Sequence, residues 1–262
     1  MSKNSGRSVP VNFMMNFILK IISPLCSAIS YPYAFRAIGQ TDMGRVAFAV
    51  SVMSFFLLIA NLGIPTYGIR ECARVRDDKP RLSKTVWELI SLQLVMTAFS
   101  ELLLLAAVVS VPQLRQEWRL FAVQGALMLF QGLGTEWLFA ALERYGFITL
   151  RSAIVKLISV VLIILLVKGP EDYLTYCALT AGTAAVTVLL NLIGLRGIID
   201  PPKAAGRPDF KRHLGPAAVF FAQAAAVTVY TSLDSALLGF MSGDDAVGAY
   251  DAAVKIKLVL VY

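Results

Sequence analysis

Long blocks of apolar residues, separated by short charged segments, constrain this sequence more than any other feature. A hydrocarbon core about 30 Å thick is crossed by roughly 20 apolar residues in a helix, and several blocks reach that length. Apolar residues make up 57% of the chain and charged residues only 16%, whereas soluble domains carry about 25% charged residues. The sequence therefore predicts an all-α polytopic protein whose main solvent is the lipid bilayer.

Seven of these blocks are predicted to span the membrane, and an eighth begins before the sequence ends, which gives about seven to eight transmembrane helices. Their approximate bounds are 12–35, 46–65, 86–111, 120–142, 147–167, 173–195 and 214–240, and the eighth opens near residue 247. The first block follows a short basic N-terminus that resembles a signal peptide. It lacks a convincing small-residue cleavage site, so we interpret it as an uncleaved transmembrane helix.

The basic residues between the blocks are distributed unequally between the two sides of the membrane. If the N-terminus is cytoplasmic, sixteen lysines and arginines fall on the cytoplasmic side and five on the other side. Cytoplasmic loops carry an excess of these residues, so the distribution predicts a cytoplasmic N-terminus. The net charge of +7 has the same origin, because the cations form short clusters between apolar blocks. Nucleic acid is not an expected partner on this ground.

Few residues suit a metal centre or a catalytic site. Cys26, Cys72 and Cys177 are isolated in the sequence, and His213 is the only histidine. A zinc site needs clustered cysteine and histidine ligands, so neither a metal nor another cofactor is expected. The motifs GxxxxGK[ST], HExxH and GxSxG are absent, so ATP binding by a P-loop and two common hydrolytic chemistries lack their usual signatures.

Two segments that lie 204 residues apart suggest an internal repeat. Residues 39–50 and 243–254 each contain two glycines five positions apart, followed by Ala-Val. Six helices return the chain to its starting side, so the repeat predicts parallel lobes about an axis along the membrane normal. The expected division is a six-helix lobe at 1–199, a cytoplasmic linker at 200–213 and the first two helices of a second lobe at 214–262. Because the sequence ends inside an apolar run, we expect a longer protein of twelve or more spans.

Four segments carry a resemblance to a known family. The clearest is ANLGIPTYGIRE at 60–71 with RVRDDK at 74–79, and the others lie at 31–39, 151–156 and 232–243. Together they resemble Wzx-type O-antigen and polysaccharide flippases of the multidrug/oligosaccharidyl-lipid/polysaccharide exporter superfamily. In that family the clearest segment looks like the end of the second helix and the first inner loop. The resemblance covers the whole chain in order, but only the first half of a typical family member.

The resemblance implies a MATE-like fold of two six-helix lobes around a central cavity. It implies a bacterial inner-membrane flippase, not an enzyme, that moves undecaprenyl-pyrophosphate-linked oligosaccharide repeats for O-antigen, capsule or exopolysaccharide synthesis. The implied partners are this lipid-linked oligosaccharide, membrane lipids and the polysaccharide polymerase machinery. Since the P-loop motif is absent, we expect transport by alternating access that is driven by an ion gradient.

Charged side chains inside apolar blocks are costly, at roughly 2.5–3.5 kcal/mol each near a helix centre, so they indicate a hydrated cavity or a partner. We expect one group to supply positive potential to the anionic headgroup, and a second group to couple an ion or to form intramembrane pairs. The first group is Lys20, Arg36, Arg45 and Lys255, and the second is Asp234, Glu136 and Lys156. Snorkelling to the interface is the alternative for Lys20 and Arg36.

Three other functions stay open at this point. A multidrug extruder of the same superfamily would share the fold but would favour acidic residues in its cavity, against the lysines found here. A membrane enzyme of polysaccharide assembly would need a large extramembrane loop, and the longest loop, around 200–212, is short and basic. A scaffold that does not transport is the third alternative.

Overall fold

The computed structural model describes residues 9–201 and 209–261, and within its helices it describes most of the side chains. Helices make up nearly all of this part of the chain, and no strand occurs in it. The helices are α1 Val9–Ile38, α2 Gln40–Asn61, α3 Ile64–Arg74, α4 Lys79–Ser110, α5 Pro112–Gln116, α6 Trp118–Gly132, α7 Glu136–Ala141, α8 Tyr145–Leu166, α9 Tyr173–Leu195, α10 Lys211–Ser242 and α11 Asp244–Val261, with a short 3-10 turn at Pro170–Asp172. The predicted all-α class is confirmed.

Five helical segments in the described ranges are long and apolar enough to cross a membrane. They are Gln40–Arg74, Lys79–Ser110, Tyr145–Leu166, Pro170–Leu195 and Lys211–Ser242, and they match the predicted second, third, fifth, sixth and seventh spans. Their surfaces expose large apolar side chains, for example Leu102 at 66% and Leu150 at 65%. Contact between such continuous apolar faces and water is unfavourable, whereas contact with lipid acyl chains is not. The polytopic prediction is therefore confirmed.

Helix boundaries agree closely in the second half of the chain and differ in the first half. The sixth predicted span, 173–195, coincides with α9. The fourth span was predicted as one helix over 120–142, which is wrong, because the chain breaks at 133–135 between α6 and α7. Residues 66–74 and 79–84 were expected in an inner loop and are instead helical, in α3 and in the first turns of α4.

The break between α2 and α3 depends on a glycine and a proline. Leu62 and Gly63 adopt φ angles of 46° and 72°, a region that favours glycine. A Cβ on Gly63 would also lie 2.5 Å from the backbone nitrogen of Phe221 in α10, so only glycine permits this approach. Pro65 in the first turn of α3 has no amide hydrogen to satisfy and restarts the helix. The break thus lets α10 pack against the chain where α3 begins.

The described ends of the predicted linker are held against the start of α4. The backbone nitrogen of Asp200 donates to Ser83 Oγ at 2.8 Å, and its carbonyl accepts from Trp87 Nε1 at 2.8 Å. Lys79 Nζ lies 2.9 Å from the Asp200 carboxylate. At the other end, the backbone nitrogen of Asp209 donates to Glu88 Oε1 at 3.0 Å. The last predicted linker residues, 211–213, form the first turn of α10, and 202–208 lie outside the described residues.

The two segments of the predicted repeat cross each other at the N-termini of α2 and α11. A Cβ on Gly44 would lie 1.9 Å from the Asp244 carbonyl oxygen, and one on Gly248 would lie 2.2 Å from the Gln40 carbonyl oxygen. Residues 40 and 44 are displaced from 244 and 248 by the repeat offset of 204, so the contact is reciprocal, as in a two-fold interface. We call this contact the α2–α11 crossing.

Candidate functional site

A cavity of about 370 Å³ opens between α3 and the first turns of α10. Arg70 and Arg74 lie one helical turn apart on α3, and Arg212 faces them from α10. We call this cavity the arginine pocket, and its lining is Tyr67, Arg70, Glu71, Arg74, Arg212 and Pro216. Three arginines against one glutamate give the lining a positive charge.

The three guanidinium groups differ in how far their charge is compensated. Arg74 Nη1 lies 3.5 Å from the Glu71 carboxylate, an exposed pair one turn apart. Arg212 Nη2 donates to the Glu88 carboxylate and to Thr85 Oγ1, which fixes its position. Arg70 is exposed and forms no ion pair with another described residue. Guanidinium groups match phosphate oxygens in a planar, two-pronged geometry, so this lining suits a phosphate-bearing ligand.

A buried polar network forms the wall of the pocket behind Arg212. His213 is fully buried, with Nδ1 2.8 Å from Tyr67 Oη and Nε2 3.1 Å from Glu88 Oε2. Glu88 is 1% exposed and also accepts from Arg212. We call Tyr67, Glu88, Arg212 and His213 the His213 network. It joins α3, α4 and α10 and leaves the Glu88 carboxylate fully paired, which a buried charge requires.

Arg45, a predicted substrate-binding cation, lies at the α2–α11 crossing. Its guanidinium is 3.0 Å from Asp42, 3.4 Å from Asp244 and 3.7 Å from Glu117. Three carboxylates thus surround one cation, which ties α2 to α11 and to the segment before α6. Thr41 Oγ1 adds a hydrogen bond to Asp245 across the same contact. A role for Arg45 in substrate binding stays a prediction.

The other predicted cations are spread along α1 and α11. Lys255 lies 4.0 Å from the Asp251 carboxylate and 5.8 Å from the centre of the Tyr31 ring, and Tyr31 Oη donates to Asp251 at 2.6 Å. This small cluster links α11 to α1. Arg36 is exposed in the last turn of α1. Lys20 lies in α1, but its side chain is outside the described residues.

The predicted coupling or pairing residues all have polar neighbours. Asp234 on α10 accepts a hydrogen bond of 2.8 Å from Tyr250 Oη on α11. Glu136 on α7 pairs with Arg151 on α8 at 2.7 Å, and the Arg151 side chain is only 3% exposed. Lys156, one turn further along α8, interacts electrostatically with Glu136. The structure thus pairs Glu136 with Arg151, and Asp234 lies apart from them on α10.

Sequence reasoning missed the residues of the arginine pocket and of the His213 network as site candidates. It assigned Arg70, Arg74 and Arg212 to cytoplasmic loops and treated Glu88 as part of an apolar span. The available signals were the four-residue spacing of Arg70 and Arg74, and a lone histidine next to an arginine. The spacing becomes meaningful only once residues 64–74 are known to be helical.

Long lipid-compatible helices and a positively charged pocket define a multi-pass α-helical membrane protein with a polar site between helices. The chain belongs to the polysaccharide biosynthesis protein family, whose sequence profile matches residues 10–261. This membership confirms the resemblance found from the sequence segments.

Two relatives extend this result. The chain is 21% identical to the "Putative O-antigen transporter" of Escherichia coli (strain K12) over 238 residues, which cover 90% of this chain and 57% of that protein. It is 24% identical to the protein of the same name from Shigella dysenteriae over 254 residues, which cover 94% of this chain and 62% of that protein. The chain thus spans about three fifths of the length of these curated relatives. No solved structure matches it.

Proposed function

We propose that this chain belongs to a transporter, not an enzyme, that moves undecaprenyl-pyrophosphate-linked oligosaccharide repeats across the bacterial inner membrane for O-antigen, capsule or exopolysaccharide synthesis. The family and the printed names of the two relatives support transport in polysaccharide synthesis. The observation that carries the proposal is the arginine pocket, because its lining suits the phosphate part of such a lipid.

The proposed orientation puts the pocket where the substrate is loaded. A cytoplasmic N-terminus, favoured by the basic-residue distribution, places the α3–α10 end on the cytoplasmic side. Helix α2, Gln40–Asn61, has 22 residues and extends about 33 Å, so it puts the α2–α11 crossing near the opposite face. The pocket would then receive the headgroup while the crossing keeps the other face closed. This arrangement fits alternating access by two lobes in a MATE-like fold. The first lobe would end at residue 199 and the second would begin at residue 214.

The physical task is to move a doubly charged headgroup through a slab of low dielectric constant. Two unit charges 4 Å apart attract by about 4 kcal/mol at an effective dielectric constant of 20, so each arginine can offset part of the desolvation cost. The polyprenyl tail would stay in lipid along exposed apolar helix faces. We propose that Lys20, Arg36 and Lys255 continue the positive path beyond the pocket, and that Arg45 contributes at the crossing.

Energy would come from an ion gradient, because one charge crossing 100 mV releases about 2.3 kcal/mol. We propose Asp234, Glu136 and Lys156 as intramembrane pairing or coupling residues on the basis of their polar neighbours.

The rival function, extrusion of amphipathic cations, is disfavoured by the arginine pocket, since the positive charge of the pocket would repel such substrates. The polymerase machinery is the proposed protein partner.

Replacing Arg70 and Arg74 together with glutamine tests the pocket. The double variant is expected to lower rescue of surface polysaccharide in a flippase-deficient cell by at least about tenfold, because a hydrogen bond to a charged group contributes about 1.5–3 kcal/mol. The matched control is the double variant Arg76→Gln and Arg81→Gln, which removes two cations at the same end of the molecule but outside the pocket. Equal rescue by the two double variants, at equal protein levels in the membrane, would refute the proposed site.

A further inference from the structure

One nitrogen of His213 lies between a hydrogen-bond acceptor and a hydrogen-bond donor. His213 Nε2 lies 3.1 Å from Glu88 Oε2, which can only accept a hydrogen bond while it is ionised. The same nitrogen lies 3.1 Å from Arg212 Nε, which can only donate one. A protonated Nε2 donates to Glu88 and loses its bond to Arg212, whereas a bare Nε2 accepts from Arg212 and faces the carboxylate lone pairs. The proton on this nitrogen therefore selects between two arrangements.

The second ring nitrogen is compatible with either arrangement. Tyr67 Oη lies 2.8 Å from Nδ1, and a hydroxyl can donate to a bare nitrogen or accept from a protonated one. The imidazolium form thus keeps both of its ring bonds, to Tyr67 and to Glu88. The charged or titratable groups in contact with the ring come from three elements: Tyr67 on α3, Glu88 on α4 and Arg212 on α10. Arg70, Glu71 and Arg74 on α3 line the adjacent pocket.

We propose that His213 is a proton-binding site that controls how strongly the arginine pocket holds a phosphate-class anion. The proposal rests on the pocket of the proposed function and adds the group that regulates it. When His213 binds a proton, its ring gains one positive charge directly beside the pocket. Arg212 then loses its bond to the ring but stays paired with Glu88 and Thr85, so the added charge on the ring raises the positive potential of the pocket that Arg212 lines.

The coupling between proton binding at His213 and anion binding in the pocket has a defined sign. Proton binding adds one positive charge beside the pocket, so it favours an anion there, and by thermodynamic reciprocity the anion favours the proton. Imidazole is the side chain that ordinarily changes charge between pH 5 and 8, so the test compares pH 8 with pH 6. Anion affinity should therefore rise as pH falls from 8 to 6.

The test uses methanedisulfonate, a dianion whose own charge stays constant over this pH range, with the full chain in lipid nanodiscs. Titration calorimetry is expected to show binding on the order of five- to tenfold tighter at pH 6 than at pH 8. His213→Gln should bind with nearly the same affinity at both pH values. Lys211→Gln, which removes an exposed cation from the neighbouring position, should keep the wild-type pH dependence.

A second variant covers the case in which His213→Gln does not fold. Tyr67→Phe removes the oxygen that accepts from protonated Nδ1, so the pH at which the affinity changes should move downward. A wild-type affinity that does not vary with pH, or a folded His213→Gln variant with the wild-type pH dependence, would overturn the proton site alone. No binding of the disulfonate at any pH would instead overturn the arginine pocket and with it the support for the proposed function.

A further arm of the test separates two sources of the anion. Inorganic pyrophosphate and farnesyl diphosphate share the phosphate chemistry, but only the second carries a prenyl chain. Tighter binding of farnesyl diphosphate at one pH identifies a lipid headgroup as the ligand. Equal binding identifies the free anion, which supports the proton-linked pocket but removes the lipid substrate from it.

Discussion

Substituting alanine for Gly44 is expected to open the α2–α11 crossing. The new methyl group would lie 1.9 Å from the carbonyl oxygen of Asp244, and this neighbour is backbone, so it cannot rotate away. Overpacking of this kind costs about 1–3 kcal/mol, and here the cost is avoided if the two helices separate. Gly248→Ala should have the same effect, because its methyl group would meet the Gln40 carbonyl at 2.2 Å.

Disulfide formation between cysteines placed at Thr41 and Asp245 measures this separation, because these side chains are hydrogen-bonded across the crossing. We expect a large loss of cross-linking in Gly44→Ala and in Gly248→Ala. Gly182→Ala is the matched control, because a Cβ at this helical position meets nothing within 4 Å and should stabilise α9 by up to about 1 kcal/mol. Undiminished cross-linking in Gly44→Ala would show that the helices do not cross at these glycines.

The second large effect is expected when Glu88 is replaced by alanine. The Glu88 side chain is 2% exposed, accepts from Arg212 and from the backbone nitrogen of Asp209, and lies 3.1 Å from His213 Nε2. Removing one partner from a buried charged network costs about 3–5 kcal/mol, because the remaining groups lose their compensation. Thermal unfolding in detergent should show a marked loss of stability and early release of α10 from α4.

An exposed ion pair supplies the comparison for this prediction. Glu143 pairs with Arg76 at 2.9 Å, but both side chains are largely exposed. Exposed pairs contribute about 0–1 kcal/mol, so Glu143→Ala should unfold close to the wild-type temperature. If Glu88→Ala and Glu143→Ala unfolded at the same temperature, the His213 network would not hold α10 to the first helices.

Periodicity and length were sufficient to predict most of the helices. Apolar blocks of about 20 residues have one stable form in lipid, so α9 was predicted to the residue and α8 within two residues. The glycine pattern shared by 39–50 and 243–254 was also visible, because the glycines that permit the close crossing are part of the sequence. These features depend on local chemistry, which a single sequence contains.

The site was less accessible because it depends on tertiary contacts. Arg70 and Arg212 are 142 positions apart in the sequence, and only the packing of α10 against α3 puts them in one pocket. Residues 66–74 contain enough charge to suggest a loop, although the restart at Pro65 makes them helical. Tertiary contacts also give Arg45 neighbours that the sequence did not reveal. This cation was expected to bind substrate, and it is surrounded by carboxylates from three separate segments.

The most direct test of the transport proposal is the position of the lipid-linked sugar in the membrane. Flippase-deficient cells that express the protein from its native gene, or its Arg70→Gln and Arg74→Gln double variant, are converted to spheroplasts and treated with a membrane-impermeant sugar oxidant. We predict that lipid-linked repeats are labelled on the outer leaflet only with the wild-type gene, and that the double variant leaves them unlabelled. Equal labelling in cells that lack the gene would contradict the account.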